Sequence, residues 1–79
     1  MILFKDFLQY LNPNVIIHIG AENGVMWLYT GEASLAPAIY NDRYVTEVYT
    51  HSGREGSKDC KPMEPGLAIL IEGDEVGDI

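Results

Sequence analysis

The stretch Val15-Ile16-Ile17-His18-Ile19-Gly20-Ala21-Glu22-Asn23-Gly24-Val25-Met26-Trp27-Leu28-Tyr29-Thr30 decides how this chain folds. Residues 15–19 and 25–30 are rich in β-branched and aromatic side chains, and the connector between them ends in Asn23-Gly24, a strong turn dipeptide. The pattern predicts a β-hairpin. Side chains alternate along a strand, so Val15, Ile17 and Ile19 share one face of the first strand while Ile16 and His18 share the other. The second strand is apolar on both faces. One face therefore needs a helix or core above it, and the other needs more protein, as in a barrel or an interface.

Working outward, Leu3, Phe4, Phe7, Leu8 and Leu11 recur at helical spacing until Asn12-Pro13 stops the pattern, which predicts a short amphipathic helix over residues 2–11. A helix this short is marginal alone and must lie on the sheet. Downstream, residues 32–42 hold Pro37 and Asn41-Asp42 and allow at most a short turn before residues 43–50 resume the strand signal. There Tyr44, Val45, Val48 and Tyr49 break strict alternation; a bulge near Thr46 and a displaced strand boundary both fit. Residues 51–65 turn to Gly, Ser, Lys, Asp, Glu and Pro, longer than a hairpin loop, and read as a mobile or functional loop. Gly66 leads into Leu67-Ala68-Ile69-Leu70-Ile71, a last strand, before Glu72, Asp74, Glu75 and Asp78 crowd the end of the chain. The expected fold is α+β: one N-terminal helix packed on a four-stranded, mainly antiparallel sheet, with a curled open barrel left as an option. Residues 1–72 form a single small domain and residues 73–79 a solvated acidic tail. Its expected core is Leu3, Phe7, Leu11, Val15, Ile17, Ile19, Trp27, Val45, Val48, Leu67, Ile69 and Ile71.

Composition excludes several functions. Five Lys plus Arg against twelve Asp plus Glu give a net charge of −7, which opposes binding to phosphate backbones or anionic lipid. The longest apolar runs, residues 25–29 and 67–71, fall far short of the roughly 20 residues that cross a bilayer. Neither nucleic acid nor membrane is an expected partner. Cys60 is the only cysteine, so no intrachain disulfide can form, which suits a reducing cytoplasm. The opening MILFKDFLQYLNPN has no cationic leader or small-residue cleavage site, and cytoplasmic localisation without export is expected.

The candidate chemical sites each meet an objection. Gly53-Arg54-Glu55-Gly56-Ser57-Lys58 resembles a phosphate loop, but Lys does not follow the second Gly directly and no helix is expected after it. Cys60 and His51 suggest a nucleophile with its base, yet they share a loop that nothing makes rigid. His18, His51 and Cys60 suggest zinc, but neither a Cys-x2-Cys nor a His-x3-His pair is present. The tail carboxylates lack the alternating ligands of an EF-hand. No catalytic residue, metal or cofactor is expected, and the chain reads as a non-enzyme. Trp27, Tyr29, Tyr40, Tyr44 and Tyr49 lie on or beside strands, where core packing, a protein interface and a stacking surface compete for them. Met26, Trp27, Leu28, Tyr29 and Tyr49 form the expected interface set.

FLQYL in the helix, VIIHI, NGVMWLYTGEA, NDRYVTEVY and the closing LAILIE together resemble small uncharacterised proteins encoded by prophages and mobile elements of Gram-positive bacteria. In those proteins a short helix precedes a curled antiparallel sheet. The resemblance covers residues 2–72, although the 51–65 loop departs from their shorter turns. It implies a bacterial cytoplasmic protein with a non-enzymatic accessory role and offers no catalytic residue. The expected function is a protein-interaction or structural accessory module. The alternative is an acidic nucleic-acid mimic that inhibits a DNA-binding protein, which deletion of residues 73–79 would weaken while leaving a packing module intact.

A chain of this mass buries only about 63% of its unfolded surface, so hydrophobic gain and ordering entropy nearly cancel. With no disulfide to help, a homodimer that hides the uncovered face of residues 25–30 is the expected assembly, and a different protein is the other partner weighed. Sedimentation equilibrium at micromolar concentration is expected to give a dimeric mass with Trp27 or Tyr29 in the contact. A monomeric mass, with Trp27→Ala changing neither mass nor melting temperature, would contradict it.

Overall fold

The computed structural model describes residues 1–73; the acidic tail expected over 73–79 lies, from residue 74 onward, outside the described residues. In chain order the elements are β1 (Ile2–Leu3), α1 (Phe4–Leu8), β2 (Ile16–Ala21), β3 (Trp27–Glu32), two 3₁₀ turns (Ala33–Leu35 and Ala38–Tyr40), β4 (Tyr44–His51) and β5 (Gly66–Ile71). The strands form one sheet in the order β1-β4-β5-β2-β3, in which β2 and β5 run parallel and the other pairs antiparallel. The architecture is a small α+β fold with little helix. Its sheet has five strands rather than four, is mixed, and does not close into a barrel.

The two central strands are the two whose side chains are most deeply buried. In β2 every residue after Ile16 is buried, and in β5 Ala68, Ile69 and Ile71 are. Near-continuous apolar runs of this kind suit the middle of a sheet covered on both faces, which is where parallel pairs occur. Ile17, Ile19, Ile69 and Ile71 point to one side and meet the fully buried Phe4; Ala33, Ala36 and Tyr40 from the turn region complete that layer. Phe7, Leu11, Val15, Val45 and Leu67 pack around it as expected, each partly buried.

The N-terminal segment is shorter in helix than its spacing predicts. Ile2 and Leu3 pair with Val45 and Tyr44 as β1, so only five residues form α1, followed by i→i+3 turns that reach Leu11. Backbone partners explain the split. The Phe4 and Lys5 N–H groups donate to the carbonyls of Arg43 (2.8 Å) and Asn41 (3.2 Å), so the helix start is satisfied by the β4 approach and not by a side-chain cap. The shift buries Phe4 completely and leaves Leu3 half-buried on the sheet rim. Two other expected core residues also differ. Trp27 lies on the opposite face, and Val48 is 39% exposed because β1 pairs only with Tyr44 and Val45 and leaves the rest of β4 with one neighbouring strand.

The broken alternation in β4 is a bulge: Val45 faces Ile71 while Glu47 faces Leu70, so Thr46 is the extra residue, and its Oγ1 donates to the Leu70 carbonyl (3.2 Å). The hairpin of β2 and β3 forms with His18 opposite Thr30 and Ile19 opposite Tyr29, then shifts register so that Gly20 meets Trp27.

Phe4 is the element that joins α1 to the sheet core. Phe4→Ala is expected to cost about 3–5 kcal/mol, a large part of the roughly 4–12 kcal/mol available to a domain this size. Tyr10→Ala, at a position 80% exposed, should stay within about 0.5 kcal/mol. Urea unfolding compares them, and equal losses would show that Phe4 does not lie beneath the sheet.

Candidate functional site

The face of the sheet opposite α1 is built on small residues. Alternation directs His18 and Gly20 of β2 and Ala68 and Leu70 of β5 to this side, with Trp27, Thr30, Tyr49 and His51 contributed by the flanking strands. Gly20 and Ala68 leave room for rings. A Cβ on Gly20 would lie 3.0 Å from the Leu70 side chain and 3.2 Å from the Trp27 ring, so the indole occupies space that any larger residue would contest. His18, His51 and Trp27 gather there, with ring centroids 4.9 Å apart for the two histidines, 5.4 Å for Trp27 and His51 edge to face, and 5.7 Å for His18 and Trp27.

The long loop folds over these rings. Arg54 and Met63 exchange two backbone hydrogen bonds of 2.9 Å each, and the Arg54 Nε–H donates to the Lys61 carbonyl at 3.1 Å. The hairpin so formed buries Met63 and brings the Glu64 carbonyl to His18 Nε2 at 2.8 Å. Gly53 starts the turn with φ +83°, where a Cβ would meet the Met63 carbonyl oxygen at 2.6 Å, so glycine is required at that position. The second cover that the two-sided strand at 25–30 demands is thus supplied in part by the chain's own residues 52–65.

His18 is fully buried and both ring nitrogens are engaged. Because Nε2 meets a carbonyl, it carries the proton; Nδ1 then accepts from the Thr30 hydroxyl at 3.2 Å. This is a neutral imidazole. Burial, with His51 close by, lowers its pKa below the ordinary value of 6.5, although the Glu64 carbonyl opposes the shift. His51 accepts the Gly53 N–H at Nδ1, 2.9 Å away, which orients its ring against the other two. The cluster clamps the loop to the sheet, and both ring nitrogens of His18, the buried titratable side chain among the described residues, are taken up by it.

The other candidates are placed apart. Cys60 is exposed on the loop, and no hydrogen bond joins it to either histidine among the described residues. No group of three or more His, Cys, Asp or Glu side chains is positioned to hold a metal among the described residues. Residues 53–58 lie in the loop, with Arg54 bridged to Met63, and no helix follows them among the described residues. Of the expected interface set, Met26 and Tyr49 are exposed and Trp27 half-buried around one hollow of about 240 Å³ floored by Gly20 and Leu70. Leu28 and Tyr29 pack instead against the α1-side core, and the Tyr29 hydroxyl donates to the Glu32 carbonyl at 2.8 Å. Between Trp27, Thr30 and the loop residues Arg54, Lys61 and Met63 runs a second, larger groove of about 460 Å³. The sequence pattern grouped His18 and His51 with Cys60 and kept Trp27 apart, whereas Trp27 is the residue that joins the two histidines; the signal for it was the alternation of Gly20 and Ala68 with large apolar residues.

Comparisons with protein-family models, with curated proteins and with solved structures find no match to this chain.

The His18 environment makes stability depend on pH. A group whose folded pKa is depressed binds fewer protons folded than unfolded below about 6.5, so stability falls as pH drops through that region. Melting temperature is expected to decline between about pH 7.5 and pH 5.5. His18→Gln should flatten that decline while costing about 1–3 kcal/mol at the upper pH. A slope unchanged by the substitution would contradict the buried neutral assignment.

Proposed function

We propose that this chain is a non-enzymatic protein-interaction module whose contact surface is the uncovered part of the histidine-bearing face. One observation carries the reading: Trp27 lies half-buried on Gly20 at the lip of a hollow, with Val25, Met26 and Tyr49 exposed beside it at 93%, 69% and 42%. Tryptophan and tyrosine anchored on a rigid sheet, with methionine adjacent, are the composition of interaction hot spots. An apolar cluster of this kind costs solubility unless something covers it. On the rest of the loop-side face both His18 ring nitrogens and His51 Nδ1 are held in internal hydrogen bonds.

Cytoplasmic residence is part of the proposal, supported by the exposed thiol of Cys60. No helix among the described residues is long and apolar enough to cross a membrane. The first partner to test is a second copy, since a two-fold contact would cover both hollows at once. Sedimentation equilibrium of the native chain and of Trp27→Ala, together with co-purification from the native host, decides the matter. A Trp27-dependent dimer, or a protein retained by the native chain and released by the variant, is the expected result. A monomer that retains no Trp27-dependent protein would overturn the reading.

A further inference from the structure

We propose that the open rim of β3, with the groove beside it, accepts an extended segment of a partner protein that carries apolar and acidic side chains on one face, and that this segment joins the sheet as an added strand. The inference rests on the interaction-module reading and names its mode and chemistry.

The backbone supplies the first argument. β3 ends the strand order and has a neighbouring strand, β2, on one side only among the described residues. A strand so placed turns alternate N–H and C=O groups outward, where another chain can pair with them. Natural sheets blunt such rims with lysine, proline or very short strands. Trp27–Glu32 reads Trp-Leu-Tyr-Thr-Gly-Glu: six residues with no lysine, no proline and one charge at the far end. At the opposite rim, by contrast, β1 is only two residues long.

Shape supplies the second. Trp27 and Thr30 belong to the loop-side face, and the groove they line is closed on its far wall by Arg54, Lys61 and Met63. A strand laid about 4.8 Å from β3 would send every second side chain toward this groove. Those side chains would meet the indole and the two cations together, so recognition requires an apolar and a charged residue at i and i+2.

Charge selects the occupant. In a chain of net charge −7, the loop carries Glu55, Asp59 and Glu64 beside Arg54, Lys58 and Lys61, but the groove lining includes Arg54 and Lys61 and no carboxylate. Arg54 is held in place by its Nε–H bond to the Lys61 carbonyl, and both residues are exposed at the groove wall. The groove is thus a local exception in an acidic molecule and is complementary to carboxylates. A second copy does not satisfy it well, because its own β3 presents no carboxylate before Glu32.

The test uses the intact chain and its single tryptophan, whose emission reports on the groove directly. The probe is the end-blocked peptide Ser-Val-Thr-Glu-Thr-Val-Ser, which places Val, Glu and Val on one face, beside the same peptide with Lys for Glu. The expected result is a saturable shift of Trp27 emission by the Glu peptide and binding about tenfold weaker for the Lys peptide. Amide resonances of β3 should move on binding, and R54Q/K61Q should erase the difference between the two peptides. Equal binding of both peptides, or no saturable binding, would overturn the proposal. So would an emission shift that follows protein concentration alone and resists the peptide, which means a second copy holds the rim. Binding seen only after D74N/E75Q/D78N would assign the groove to the chain's own end and overturn it likewise. If the peptides fail while Trp27-dependent association persists, this inference falls and the interaction-module reading stands.

Discussion

β2 and β5 are buried on both sides, and that constraint organises the molecule. A sheet whose centre is apolar above and below needs two covers, and the described residues give one short α-helix. On one side α1 and the turn residues Ala33, Ala36 and Tyr40 close over Phe4 and four isoleucines. On the other, residues 52–65 must serve without regular structure of their own. They do so through a two-bond bridge at Arg54 and Met63, a buried methionine, and a hydrogen bond from His18 to the Glu64 carbonyl. That last bond joins residues 46 positions apart and fixes the loop to the middle of the sheet.

The second cover is incomplete, and its limit leaves an apolar surface exposed. Where the loop stops, Trp27 fills the place above Gly20 and the apolar face continues outward past Met26 and Tyr49. His18 and His51 are held by hydrogen bonds to loop residues, and Met26 and Tyr49 stay exposed beside the half-buried Trp27. The buried imidazole of His18 is engaged at both nitrogens, while Val25, Met26 and Tyr49 are left in water.

Much of this was legible in short-range pattern, and what was not depends on long-range pairing. The hairpin of β2 and β3 followed from β-branched runs around Asn23-Gly24, and the lost alternation at Tyr44, Val45, Val48 and Tyr49 allowed either a bulge near Thr46 or a displaced boundary, of which the bulge is the one that forms. The four inward isoleucines followed from period-two spacing. Helical spacing at Leu3, Phe4, Phe7, Leu8 and Leu11 could not reveal that Ile2 and Leu3 pair with β4, since a two-residue strand has no period to read. Nor could it place β5 parallel to β2, because that neighbour is set by burial on two faces and not by adjacency in the chain. The loop at 51–65 read as mobile or functional because its composition is polar. Its structural role depends on single residues, Gly53, Met63 and the Glu64 carbonyl, that carry no periodic signal.

The most direct measurement is a long-range ¹H–¹⁵N correlation spectrum of the imidazole nitrogens near neutral pH. His18 is expected to be a neutral ring with its proton on Nε2, slow to exchange with solvent, and in contact with protons of the Glu64-Pro65 segment. A His18 that titrates near its ordinary value of 6.5 as an exposed ring, or carries its proton on Nδ1, would contradict it: the loop would not be the second cover of the sheet.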